Sequence, residues 1–189
     1  RGYDSAGIAI IEGEDIIVRK CKGALKYLEE KIANEVIKGT VGIGHTRWAT
    51  HGEPSDTNSH PHASMDGSIS IVHNGIIENY AELKAKLQAQ GVVFKSQTDT
   101  EVVVHLIDKS YKKHKDIFKA VLEVLHVVEG SYALGVVCKD YPDRIICCRK
   151  ESPLVIGLGK NENFIASDVP ALLEHTRDVY YLGEKELAV

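Results

Sequence analysis

Strand-like alternation at both ends of the chain, with helical periodicity gathered between, constrains the fold of this sequence more than any other feature. Ser5 to Ile11 and Ile16 to Cys21 alternate as two strands joined by the turn Glu12-Gly13-Glu14-Asp15, after which Leu25, Leu28, Ile32 and Val36 recur at helical spacing. Val41 to Trp48 and Ser68 to His73 follow as strands flanking a polar loop, and Ala81 to Gln90 is a polar amphipathic helix ended by Gly91. Thr98 with Glu101 forms a capping box that starts a helix through Val102, His105 and Leu106, and a second helix from Ile117 to Val128 is expected to pair with it. Beyond Ser131 the runs YALGVVC, RIICCR, LVIGLG and NFIAS alternate with turns, ahead of a short helix near Leu172 and the strands VYYLG and ELAV. This order lacks the regular βαβ alternation of a doubly wound parallel sheet. Antiparallel sheets covered by helices are the more natural solution, so the expected fold is α+β or a layered αββα domain.

Composition limits the partners. A chain of 189 residues, 43% hydrophobic and 26% charged, is sized for one globular domain with a sizeable core. The formal net charge of -4, with signs interspersed and no basic run, offers no footprint for nucleic acid or an anionic membrane. No apolar stretch approaches the roughly 20 residues of a membrane span, and no signal-peptide pattern opens the chain. Cys21, Cys138, Cys147 and Cys148 form no CxxC pair, and the adjacent Cys147 and Cys148 point to opposite faces of one strand. Free thiols in a reducing cytoplasm are therefore expected. The chain opens on Arg1-Gly2-Tyr3 without a Met and stops just after ELAV, so a piece of a longer protein is expected.

The polar loop carries the chemistry. Between His45 and Gly75 lie Arg47, the only tryptophan Trp48, the Asn74-Gly75 pair and five of the nine histidines, in a segment without apolar periodicity. Arg47 has two readings, a solvated surface charge or a planar fork for a carboxylate with Thr50 and His51 beside it. Asn74-Gly75 is either a hairpin turn, its commonest use, or a strand exit towards a helix. In the second case the Asn74 amide and the Gly75 N–H could converge as an oxyanion hole for amide cleavage. Asp99 either favours a helix dipole or pairs with a substrate ammonium, which with Arg47 would grip an amino-acid zwitterion at both ends. His60-Pro61-His62 invites a metal, but no third and fourth ligands accompany them and no metal is expected.

RGYDSAG at Arg1 to Gly7, GHTRWATHGEPSDTNSHPH at Gly44 to His62, VHNGIIENY at Val72 to Tyr80 and TDTEVV at Thr98 to Val103 resemble, in order, the glutaminase domain of the glutamine–fructose-6-phosphate aminotransferase family. The weaker second half, with SYALGVV and ASDVPALL, also fits. Related amidotransferases of purine, asparagine and glutamate synthesis share looser versions of these motifs. The resemblance implies an N-terminal nucleophile hydrolase fold, with two mainly antiparallel sheets between helical layers. It also implies hydrolysis of L-glutamine, with the ammonia passed to a separate sugar-isomerase domain that makes glucosamine 6-phosphate from fructose 6-phosphate in a homodimeric parent. No cofactor is implied. Arg47 would hold the α-carboxylate, Thr50 and His51 would line the pocket, Trp48 would help close its loop, Asp99 would take the α-amino group, and Asn74 and Gly75 would form the oxyanion hole.

One departure is serious. In this family the nucleophile is a cysteine at the mature N-terminus whose α-amine is the general base, and it lies upstream of RGYDSAG. No cysteine of these 189 residues occupies a matching position. The chain by itself is therefore expected not to hydrolyse glutamine. The rival expectation is a glutamine- or glutamate-binding module that keeps the recognition residues without a nucleophile.

Overall fold

The computed structural model describes residues 4–189, so Arg1, Gly2 and Tyr3 of the first motif lie outside the described residues. The chain runs β1 (Ser5–Glu12), β2 (Asp15–Lys22), α1 (Leu25–Ile32), β3 (Val41–Arg47), β4 (His62–Ala63), β5 (Ile69–Ile77), α2 (Tyr80–Gln88), α3 (Thr100–His114), α4 (Ile117–Leu125) and β6 (Gly130–Cys138). It continues through β7 (Ile146–Lys150), β8 (Val155–Leu158), β9 (Asn163–Ala166), a 3-10 turn at Val169–Ala171, β10 (Val179–Tyr181) and β11 (Leu187–Ala188). The strands form three sheets ordered β2-β1-β3, β11-β7-β6-β5-β4 and β10-β8-β9, and all their pairings are antiparallel.

Period-two alternation builds the layers. On β1, Ala6 and Ile8 face α1, where they meet Leu28 and Ile32, while Ala9 and Ile11 turn to the opposite side. There they join Ile43 of β3, Val72 of β5 and Val137 of β6 to form the seam between the two larger sheets. The other face of the five-stranded sheet presents Ile69, Ile71, Ile77, Leu134 and Val136 to α2, α3 and α4, and this helix-sheet cluster is the largest apolar core. Helix, sheet, sheet and helices thus stack in the αββα order expected. The small β10-β8-β9 sheet is an addition to it, packed through Ile156 and Ile165 against Ala133 and Leu154. Cys148 lies in the helix-side core and Cys147 in the cluster beneath this small sheet, as their adjacency requires.

Local chemistry decides several boundaries. The β1–β2 hairpin turns through Gly13 at φ +62°, a left-handed conformation that glycine adopts without strain. Helix α4 starts where the Asp116 carboxylate accepts the Lys119 N–H at 3.1 Å, and it buries Ile117, Ala120, Val121 and Val124 at helical spacing. Helix α1 stops at Ile32, and Val36, expected to extend it, is exposed. The Thr98–Glu101 capping box does not form. The Glu101 carboxylate is drawn instead to the N–H groups of Lys95 and Ser96 at 2.8 and 2.6 Å, and α3 begins after Asp99 with no side-chain cap. Among the described residues no helix is long and apolar enough to cross a membrane.

Candidate active site

The seam between the two larger sheets changes character along its length. On β3 the inward positions run Val41, Ile43, His45, Arg47, and on β5 they run Val72 then Asn74, so one continuous face passes from apolar to polar. At the polar end the sheets enclose a cavity of about 710 Å³, lined by His45, Arg47, Asn74, Gly75 and Asp99 among others. That volume falls within the roughly 300–1,000 Å³ usual for small-molecule sites. Its far wall is Asn163 to Asp168 of β9 and the following turn.

Arg47 is buried at the last position of β3. Its Nη2 donates to the backbone carbonyls of His51 and Gly52, the latter at 3.1 Å, while Nη1 is buried with no hydrogen-bond partner. Burial lowers its pKa, with Asp4 and Asp99 opposing, yet a guanidinium stays charged at any ordinary pH. One edge of a planar cationic fork is thus committed to the loop, and the other is unpaired in the cavity wall. Asp4 secures the loop entrance: its carboxylate accepts the Ala49 N–H and its own N–H donates to the Arg47 carbonyl at 3.1 Å. The rest of the loop is held by buried polar groups in place of an apolar core. Asn58 Nδ2 donates to the Glu53 carbonyl at 2.9 Å, the Gln97 N–H donates to Asn58 Oδ1 at 2.9 Å, and Lys20 Nζ reaches the Ser59 carbonyl at 2.7 Å.

Asp99 is buried between β5 and α3, where its Oδ2 accepts the Ile77 N–H at 2.8 Å and its Oδ1 faces His51 Nδ1 at 4.0 Å. Asn74 and Gly75 do not end their strand. They pair with Ala133 and Tyr132 inside β5, which continues to Ile77 before the chain enters α2, so neither the hairpin reading nor an exit at Gly75 holds. Gly75 nevertheless has φ +124°, and a Cβ there would lie 2.2 Å from the Ser131 carbonyl oxygen. Only glycine lets the two strands close here, and the local distortion leaves both residues exposed to the cavity. Trp48 and Thr50 also line the cavity, and the Trp48 indole is 74% exposed at its mouth. His51 does not line it. The ring stands edge-on to Tyr80, with 5.3 Å between centroids, and the residue contributes its carbonyl to Arg47 instead.

The remaining loop histidines form a cluster in which His60, His62 and His73 are buried and His45 is half-buried. His45 stacks on His60 at 4.4 Å and His60 meets His62 edge-on at 4.9 Å. His62 Nε2 pairs with Thr98 Oγ1 at 3.0 Å and His73 Nδ1 with Thr100 Oγ1 at 2.8 Å. Desolvation pushes all four imidazoles below their ordinary range, His62 to about 3, so they are neutral near pH 7. Among the described residues no group of three or more His, Cys, Asp or Glu is arranged to hold a metal ion. The four cysteines are free and buried, burial raises the pKa of each, and none borders the cavity.

Comparison with known proteins decides the family. The family profile described as "Glutamine amidotransferase domain" matches residues 45–174, more than half of the chain. The chain is a member of the glutamine amidotransferase domain family. Over 189 residues it is 59% identical to glutamine–fructose-6-phosphate aminotransferase [isomerizing] of Clostridium tetani and 58% identical to that of Caldanaerobacter subterraneus subsp. tengcongensis, covering 100% of the chain and 31% of each relative. It thus spans about a third of the length of the relatives it matches. A solved structure of glutamine phosphoribosylpyrophosphate amidotransferase from B. subtilis superposes with a TM-score of 0.83 at 27% identity, over 98% of this chain and 40% of that one. The αββα layers are therefore those of a class II, N-terminal nucleophile amidotransferase. Two features of the cavity had no sequence motif to announce them: the approach of His45 Nε2 to Asn74 Oδ1, at 2.7 Å, and the β9 wall. A period-two reading of β3 past Ile43 was the one available signal for His45.

Proposed function

We propose that this amidotransferase domain binds L-glutamine in the seam cavity and is the glutaminase half of a glutamine–fructose-6-phosphate aminotransferase. The observation that carries the reading is that Arg47, whose buried Nη1 has no partner, and the carboxylate residue Asp99 line one cavity. A fixed cation and a fixed anion in one small site suit the α-carboxylate and α-ammonium of an amino acid. In this reading Arg47 takes the carboxylate and Asp99 the ammonium. The side chain extends past Thr50 towards Asn74 and Gly75, whose N–H groups receive the oxyanion of the tetrahedral intermediate. Trp48, exposed at the mouth, folds over the bound substrate, and His51 supports the site by holding Arg47.

The nucleophile is not among the four cysteines. Each is buried, has a raised pKa and is absent from the cavity wall, whereas an attacking thiolate needs exposure and a lowered pKa. We place it on a cysteine of the parent protein outside these 189 residues, with its free α-amine as general base. The parent also carries the sugar-isomerase domain that consumes the ammonia, and acts as a homodimer in the reducing cytoplasm, where these thiols stay unpaired. The same cysteine evidence supports a second reading, a glutamine or glutamate sensor without a nucleophile. Calorimetry with L-glutamate, together with an ammonia assay, separates them. Under the main reading the 189-residue chain binds L-glutamate and releases no ammonia, while the full-length parent releases ammonia from L-glutamine. A full-length parent that binds but never turns over would establish the sensor. Absence of glutamate binding, or ammonia release from protein proven to start at Arg1, would overturn the main reading.

A further inference from the structure

His45 lies on β3 directly across the seam from Asn74, with its Nε2 2.7 Å from Asn74 Oδ1. We propose that His45 is a positioning residue: by donating its Nε2–H to Asn74 Oδ1 it turns the Asn74 amide so that the NH₂ group faces the substrate as an oxyanion donor. The proposal rests on the glutaminase reading and adds a residue to it.

An asparagine side chain presents an acceptor on one side and two donors on the other, and an unrestrained Asn74 would offer either to the cavity. An inverted amide would aim a carbonyl lone pair at the developing oxyanion and repel it. The contact with His45 removes that choice if the imidazole is a donor at Nε2. Its other nitrogen, Nδ1, is buried without a hydrogen-bond partner, so a proton there would be a buried donor left unsatisfied. Burial pushes the imidazole towards its neutral form, opposed first by the contact with Asn74 and more weakly by the nearby His73 backbone, which meets neither ring nitrogen in hydrogen-bond geometry, and a neutral ring carries one N–H. That single N–H belongs on the nitrogen with the 2.7 Å partner. The ring itself cannot rotate away, because it is stacked on His60, which accepts the His73 N–H at Nδ1. His60 in turn meets His62, which is tied to Thr98 beside Asp99. A rigid, neutral column of rings thus sets the amide orientation, and no cavity group on Asn74's own strand could do so.

The test uses the full-length parent, comparing wild type, His45→Phe, His45→Gln, Asn74→Ala and the His45→Phe/Asn74→Ala double variant in glutaminase turnover. Phenylalanine keeps the stack and loses the donor, and glutamine can restore a donor at the Nε2 position. Deleting a whole oxyanion donor costs about 10²–10³ in kcat, so misorienting one should cost on the order of tenfold or more. The expected result is that fall in kcat for His45→Phe, with KM for glutamine within about twofold, substantial recovery in His45→Gln, and no added loss when His45→Phe is placed on Asn74→Ala. An active wild type with an unimpaired His45→Phe, or losses that multiply in the double variant, overturns the positioning role and leaves the glutaminase reading intact. A wild type without turnover overturns both. Should His45→Phe fail to fold, the ¹⁵N shifts of the His45 ring in wild type decide: a protonated Nε2 supports the proposal, and a protonated Nδ1 overturns it.

Discussion

The histidine column should make this domain sensitive to mild acid. His60 and His62 are 5% and 4% exposed, and both have pKa values below the ordinary 6.5, His60 well below and His62 at about 3. For both the main cause is desolvation. Neighbouring histidines and Arg47 add to it at His60, and Lys20 and Arg47 at His62, where Glu101 opposes. A group whose folded pKa is depressed below its unfolded value is a liability once the unfolded chain can take up the proton. Between pH 6.5 and the folded values, the unfolded state binds more protons than the folded one, so stability falls as pH falls. At pH 5.0 His62 lies about 1.5 pH units below its unfolded pKa and still above its folded value of about 3, which at about 1.36 kcal/mol per unit is a loss of about 2 kcal/mol. His60, with His45 and His73, is lowered in the same direction and adds to that loss, against the roughly 5–15 kcal/mol that holds a typical domain folded. Glu101, lowered to about 2, adds to the loss only below its unfolded pKa near 4.5, so the two effects separate on the pH axis. Urea unfolding followed by circular dichroism at pH 7.5 and pH 5.0 should show this loss. His62→Gln, which keeps a polar partner for Thr98 but cannot ionise, should reduce the pH-linked loss by about 2 kcal/mol. A loss below about 1 kcal/mol between those pH values, or one that begins only under pH 4.5, would refute the assignment of the acid sensitivity to buried neutral imidazoles.

Two substitutions probe the ends of the proposed glutamine site. Gly75→Ala places a Cβ 2.2 Å from the Ser131 carbonyl oxygen at φ +124°, so β5 and β6 must separate. Denaturation should report about 1–3 kcal/mol of destabilisation, and glutaminase turnover of the parent should fall with it. Asp99→Asn keeps an acceptor for the Ile77 N–H, 2.8 Å away, and removes the charge proposed to face the substrate ammonium. Calorimetry should find L-glutamate binding weakened by about 10–100-fold, from the roughly 1.5–3 kcal/mol of a charge-assisted bond, with the melting temperature little changed. Unchanged affinity would move the ammonium site away from Asp99.

What the sequence disclosed follows from how local each determinant is. The β1–β2 hairpin was legible because alternation and a two-residue turn through Gly13 are contained in one short segment. Helix α4 was legible from its apolar periodicity beginning at Ile117, although it ends at Leu125 and not at the expected Val128. The failures occurred where a distant partner outbid a local preference. Asn74-Gly75 carries the strongest hairpin signal in the chain, yet β6 pairs with both residues and carries the strand on to Ile77. Glu101 belongs to a capping pattern, but the N–H groups of Lys95 and Ser96 offer its carboxylate a buried site with more donors.

The site divides along the same line. Arg47, Asp99, Asn74 and Gly75, which the structure brings to one cavity, stood out in the sequence because their chemistry is scarce: a fork, a carboxylate and a pair of donors. His45 sits two residues from Arg47 on the same strand face, and five histidines nearby made any one of them unremarkable. Its meaning depends on which atom of which neighbour it touches, a distance of 2.7 Å across two sheets that no spacing within β3 encodes. The same reasoning covers the Asn163 to Asp168 wall, which enters the cavity only because β9 pairs with β8 over the open end of the seam. Residues that bind by their own charge can be found in a sequence. Residues that act by orienting another group become visible only once the fold has placed the two together.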